Sequence, residues 1–417
     1  MNTRPLTAAS AQLVLLGLLF LPACKAEEEQ PPGTCVAEPR VCDDLDLVVP
    51  PPTGEAVGVW DGERRRFVVF GGDVGTPIDC IPQADFEGST WAFLTECDAW
   101  VSVAAAEAPP PRGRHVAALD ADGGRMIIHG GRFRETGSSA DYDYLDDTWA
   151  LDLATDTWTR ISDGDGPQAR VNHVGAVAGG RFVVHGGDTD PAPLGYTPQA
   201  DVWVLDLAAG TWEELDAPGG PSARLFHAGA ASPDGGTLYV YGGTGADPFF
   251  SPAFGDLWAL DLETGQWQEL HDGTGEAPDS PFWANLLADP QAPRLLLWAG
   301  HDDTDLGNTN QLWAFDLSSG QWELLRQGDE YANPANAFCD LPADFADIDI
   351  DSPERRNAGA AAITSCGELV VFGGKTDCGI INDLWAWKPD SGWQERSAAT
   401  AGQVCQRAFA ECEALCF

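Results

Sequence analysis

The hexamer "FVVHGG" at residues 182–187 decides the fold. Four residues that favour a buried strand end in two that have no side chain. Nearly the same stretch occurs five more times: "FVVFGG" (67–72), "MIIHGG" (126–131), "LYVYGG" (238–243), "LLLWAG" (295–300) and "LVVFGG" (369–374). Successive starts are 56 to 59 residues apart, except the last, which is 74 away. A period of this size marks one supersecondary unit per repeat.

Each hexamer is followed by a spaced tryptophan pair. The pairs read "STWAFLTECDAW" (89–100), "DTWALDLATDTW" (147–158), "DVWVLDLAAGTW" (201–212), "DLWALDLETGQW" (256–267), "QLWAFDLSSGQW" (311–322) and "DLWAWKPDSGW" (383–393). Every repeat reads as four short strands: a small-residue run such as "HAGAAS" (227–232), the hexamer, then one strand at each tryptophan. Turn residues fill the gaps, as antiparallel strands require.

This pattern resembles the kelch repeat over residues 55–397. The resemblance implies an all-β fold, a six-bladed kelch-type β-propeller of four-stranded antiparallel blades. In that family the glycine pair lets the backbone turn and pack closely, and glycine tolerates positive φ. The doublets are thus scaffold, since a phosphate loop would need them to open a helix. Ala299 replaces the first glycine of the fifth copy and predicts a different bend there. His129 and His185 occupy the position of Phe70, Tyr241, Trp298 and Phe372, and read as aromatic fillers.

Outside the repeats, "LVLLGLLFLPAC" (13–24) has the length of a signal-peptide core and follows Arg4. Leu21-Pro22-Ala23-Cys24 resembles the lipobox of bacterial lipoproteins, which implies cleavage before Cys24 and a lipid on its thiol. Lys25 in the next position implies, by the same resemblance, the outer membrane. The domains expected are a signal peptide (1–23), a tether (24–42), the propeller (43–397) and a Cys-rich end (398–417).

Eleven cysteines become ten once Cys24 is set aside, an even number suited to disulfides outside the cytoplasm. Cys35, Cys42, Cys80 and Cys97 lie near the start, and Cys339, Cys366, Cys378, Cys405, Cys412 and Cys416 near the end. In a closed ring these ends meet, so bridges there would resist opening. Cys80 with Cys97 is the single pairing expected. "LDLVVPPPTGEA" (45–56) also resembles "WVSVAAAEAPPPRGRH" (100–115), so the N-terminal strand is a candidate to join the last blade.

Function is less legible. Acidic residues number 65 against 23 basic ones, for a net charge of -42. Such a polyanion repels phosphate backbones, which argues against a nucleic-acid partner. The long connections, 73–88, 132–146, 188–200, 244–255 and 326–354, all fall on one face, where binding usually resides. That face carries Phe249 and Phe250, an aromatic pair suited to a protein or a glycan. Three links share a pattern: Arg112-Gly-Arg-His115, Arg170-Val-Asn-His173 and Arg224-Leu-Phe-His227. The corresponding histidine positions elsewhere read as Glu55, Trp283 and Asn357. Three arginines near the channel mouth suit a carboxylate or sulfate, or else tie down the links.

No zinc spacing and no G-x-S-x-G elbow occurs. Alternating Asp347, Asp349 and Asp351 hint at calcium, without the glycine and glutamate of a calcium loop, and "HDDTDLGNTN" (301–310) is similarly suggestive. The reading is therefore a lipid-anchored envelope protein that binds a protein or glycan, with no cofactor. The alternative is a periplasmic enzyme resembling sialic acid epimerases, acting on an anionic sugar through Glu55, Arg112, Arg170 and Arg224.

Overall fold

A computed structural model describes residues 42, 48–75, 84–138, 141–192, 195–248, 253–279, 282–302, 307–331, 346–347, 349–376 and 379–400. The described residues form six antiparallel blade sheets whose strands pair in chain order, and two separate two-stranded pairs, Arg132–Phe133 with Asp143–Tyr144 and Glu330–Tyr331 with Ala346–Asp347. Blade one contains Val57–Asp61, Arg66–Asp73, Phe86–Leu94 and Ala99–Val103. Blades two to six occupy 116–163, 174–214, 228–271, 285–326 and 356–397. In blade six the inner strand is split into Arg356–Asn357 and Ala360–Ile363.

The core lies between the blades. Alternate residues of a strand face opposite sides of its sheet. Phe67 and Val69 pack with Val370 and Phe372 of blade six, whereas Val68 and Phe70 pack with Met126 and Ile128 of blade two. Both faces are buried, so the second strand reads as an unbroken apolar run. The other four interfaces have equivalent clusters.

One aromatic contact recurs at every interface. The second tryptophan of each blade packs on the ring at the fourth hexamer position of the preceding blade. The pairs are Trp158–Phe70, Trp212–His129, Trp267–His185, Trp322–Tyr241, Trp393–Trp298 and Trp100–Phe372. The filler reading of His129 and His185 agrees with this packing.

The glycine pair has a specific task. Gly71 and Gly186 have φ of 67° and 64° and sit where the strand register slips by one residue. This is a glycine bulge. A Cβ on the first glycine would strike the next blade's link: 2.8 Å from Arg112 O at Gly71, and 2.8 Å from Arg170 O at Gly130. A Cβ on the second would strike its own blade's link, 2.7 Å from Val171 O at Gly187. Each doublet is thus held between two links.

Blade five corrects one expectation. Ala299 adopts φ 59° with the same register slip, so its bend matches the others. The link of the next blade carries Gly359 where those facing Gly71, Gly130 and Gly186 carry His115, His173 and His227.

Ring closure corrects another. Blade six takes all four of its strands from 356–397. Among the described residues the N-terminal segment adds no strand and docks by single contacts. Thr53 N donates to Ile381 O (3.1 Å), Gly374 N to Thr53 O (2.8 Å) and Asn382 Nδ2 to Pro50 O (2.8 Å).

The disulfide found is Cys42–Cys97, not Cys80–Cys97. Cys366 is also disulfide-bonded. Cys24, Cys35, Cys80, Cys339, Cys378, Cys405, Cys412 and Cys416 lie outside the described residues.

Candidate functional site

The links entering the inner strands build the channel mouth. Their arginines are latches. Arg112 is buried and grips Asp147 with both terminal nitrogens (2.6 and 3.1 Å) while donating to Gly130 O and Pro110 O. Arg170 does the same with Asp201, Gly186 O and Gln168 O. Arg224 repeats it with Asp256, Gly242 O and Ser222 O. Arg356 is a fourth case, paired with Asp383.

Each aspartate precedes the first tryptophan of its blade and also accepts its indole N–H, as Asp147 does from Trp149 at 2.7 Å. Burial raises the carboxyls of Asp147, Asp201 and Asp256, but the arginine hydrogen bonds outweigh it and hold them low. Four of five N–H groups on Arg112, Arg170 and Arg224 are spent in this way. This placement ties down the links.

His115, His173 and His227 are buried between blades, edge-on to Phe70, His129 and His185. Their equivalents in blades one, five and six are Ala56, Ala284 and Gly359. The sequence alignment was displaced, by one residue in blades one and five and by two in blade six. Glu55 and Trp283 belong with Arg114, one position earlier.

That earlier position forms the rim. Glu55, Arg114, Asn172, Phe226, Trp283 and Ala358 all have φ between 48° and 61°. Five backbone hydrogen bonds run between them: Asn172 N to Arg114 O (3.3 Å), Phe226 N to Asn172 O (3.1 Å), Trp283 N to Phe226 O (3.0 Å), Ala358 N to Trp283 O (3.3 Å) and Glu55 N to Ala358 O (2.8 Å). Side chains make the sixth link, Arg114 Nε to Glu55 Oε1 at 2.9 Å. The left-handed backbone turns these six side chains away from the blade interfaces that hold their neighbours.

Glu55 is the centre of charge. It also accepts from Arg132 Nη2 (3.1 Å) and Lys375 Nζ (2.7 Å). Burial alone would raise its carboxyl, but Arg114, Arg132 and Lys375 together hold it well below the usual range. Two glycines make this possible. A Cβ on Gly54 would fall 2.7 Å from Lys375 Cγ, and one on Gly113 2.6 Å from Glu55 Oε2.

Aromatic residues cover the opposite side. Arg114 lies over the half-buried Trp283 ring (4.8 Å), whose Nε1 donates to Asn172 Oδ1 (3.2 Å). Arg132 and Arg134 stand over Tyr142 at 4.1 and 4.2 Å. Two buried donors, Arg132 Nε and Asn172 Nδ2, have no hydrogen-bond partner among the described residues. The mouth is thus a donor-rich surface with an aromatic flank.

A family model described as the KLHDC2/KLHL20/DRC7 Kelch-repeats domain matches residues 54–289. The chain belongs to this kelch-repeat family. It is 25% identical to human Kelch domain-containing protein 10 over 274 residues, 64% of this chain and 54% of that protein. It is 28% identical to Tip elongation aberrant protein 1 of Schizosaccharomyces pombe over 208 residues, 49% of this chain and 17% of that one. Serine/threonine-protein phosphatase BSL2 of Arabidopsis thaliana is 36% identical over 285 residues, 67% of this chain and 26% of its own length. The chain spans about half or less of these relatives.

Of the remaining candidates, Phe249 and Phe250 lie outside the described residues. The Asp349 carboxylate is engaged by Arg326 (3.1 Å) and Ser352 (2.6 Å). Among the described residues no three His, Cys, Asp or Glu side chains converge as metal ligands do. Sequence reasoning missed Arg114 as a rim residue, and missed Arg132 and Lys375 altogether. The signal was the glycine at 54 and at 113, where other links carry Val171, Leu225, Phe282 and Asn357.

Proposed function

We propose that this kelch protein is an envelope lipoprotein that holds a protein partner on its long-loop face, anchored at the channel mouth. The mouth carries the reading. In a chain of 65 acidic and 23 basic residues, three cations surround Glu55 beside a half-buried tryptophan. Arg132 Nε and Asn172 Nδ2 await acceptors. A partner segment bearing carbonyl or carboxylate oxygens meets these donors, and Trp283 receives its apolar part. The envelope address rests on Leu21-Pro22-Ala23-Cys24. The Cys42–Cys97 disulfide suits an oxidising compartment. The relatives named above are eukaryotic, so they lend no support to that address.

The test is capture from the parent cell envelope on soluble Cys24→Ser protein, beside Trp283→Ala and Phe249→Ala/Phe250→Ala versions. The expected result is a retained protein held at least about tenfold more weakly by Trp283→Ala, the behaviour of a hot spot. A retained glycan would change the partner class. Equal capture by all three would remove the face from consideration. In cells, Cys24→Ser should leave the membrane fraction.

A further inference from the structure

Three consecutive blade interfaces are built with histidine, and two of them bury histidine against histidine. Between blades two and three, His173 meets His129 with ring centroids 5.5 Å apart at 83°. Between blades three and four, His227 meets His185 at 5.1 Å and 89°, with His185 Nδ1 and His227 Nε2 3.1 Å apart. The remaining interfaces place Tyr241, Trp298 and Phe372 opposite Ala284, Gly359 and Ala56. The same apolar joint is therefore made with a pair of imidazoles at two places only.

The surroundings are hostile to a proton. Among the described residues, His173 Nδ1 and Nε2, His129 Nε2, His185 Nε2 and His227 Nδ1 are buried without a hydrogen-bond partner. His129 Nδ1 meets Thr148 Oγ1 at 3.0 Å. Trp212 and Trp267 close the outer side. The permanent charges facing these rings are mostly positive: Arg112 and Arg170 with Asp147 at His129, Arg170 at His173, Arg170 and Arg224 with Asp201 at His185, and Arg224 at His227; the other titratable neighbours are imidazoles, His129, His227 and His115 at His173 and His185 at His227. Asp147 and Asp201 are already bound by Arg112 and Arg170.

We infer that the sector from blade two to blade four is a built-in acid-sensitive joint, where the ring opens first as pH falls. A second proton in either pair sits against a like charge in a joint closed to water. Opening the joint hydrates all four imidazoles. The seam between blades six and one, where Ala56 and Phe372 pack in one cluster, has no imidazole pair.

The sign is fixed by linkage. Burial first, and then neighbouring positive groups, hold His129 and His185 at about 3, and His173 and His227 well below their ordinary value. An exposed histidine titrates near ~6.5. The opened state thus binds more protons below that pH, and stability falls as pH drops from ~6.5 toward the folded values.

Hydrogen exchange at pH 7.5, 6 and 4.5, corrected for intrinsic rates, tests this on the whole chain. Strands Arg125–His129 and Arg181–Asp188 and links 170–174 and 224–228 should lose protection before blades five and six. The variant His129→Phe/His185→Tyr, with rings native to this position in blades one and four, should cut the stability lost between pH 7.5 and 4.5 by at least half. His173→Ala, the residue found at 284, serves if that variant does not fold. Equal losses in wild type and variant, or earlier exchange at the blade six–one seam, would overturn the inference.

Discussion

The Glu55 carboxylate lies 2.7 Å from the Lys375 ammonium, although 320 residues separate them in the chain. Glu55 begins blade one and Lys375 ends the second-strand bulge of blade six. With Arg114 and Arg132 from blade two, it ties three blades at the point where the ring closes. Replacing Glu55 with Gln leaves three cations facing one another in a buried site. The expected loss is about 2–3 kcal/mol at pH 7, below the usual cost of breaking a fully buried pair because Lys375 and Arg114 are partly solvated. Urea unfolding of Glu55→Gln against wild type measures it.

The same carboxylate has a pH signature. Its folded value is depressed, so its contribution is complete above the ordinary glutamate value and is lost as pH falls through the folded one. The gap between wild type and Glu55→Gln should be constant from pH 6 to 8 and close below about 4.5. A gap independent of pH down to 3 would mean that Glu55 acts through packing.

The arginine latches should behave as coupled pairs. Arg170→Met strands the Asp201 carboxylate, and Asp201→Asn strands the guanidinium; each should cost about 3 kcal/mol. The double variant should cost clearly less than the two losses added, because no charge is left unpaired. Chemical denaturation of the four proteins completes the cycle.

Gly187 has φ 92°, and a Cβ there would sit 2.6 Å from His173 Cβ. Gly187→Ala should therefore cost more than the roughly 1 kcal/mol of left-handed strain alone, with a thermal midpoint several degrees lower. Ala299→Gly removes strain in an equivalent bulge and should leave stability within about 1 kcal/mol of wild type.

Cys42–Cys97 closes a span of 55 residues around blade one. On the chain-entropy model, removing it costs up to about 4 kcal/mol. Cys42→Ser/Cys97→Ser should show that loss in urea.

The sequence alone determined the blades. Six hexamers and six tryptophan pairs state which residues face the interfaces, because strand alternation converts spacing directly into burial. It also located the long-loop face, since that follows from strand order. It could not separate Arg112 from Arg114. These residues are two apart in one link, yet the first is buried on Asp147 and the second stands at the rim over Trp283. A single left-handed residue makes the difference, and no periodicity encodes it. Nor could it find Glu55 with Lys375, or Cys42 with Cys97. Such pairs exist only once the ring has closed and brought distant residues within bonding distance.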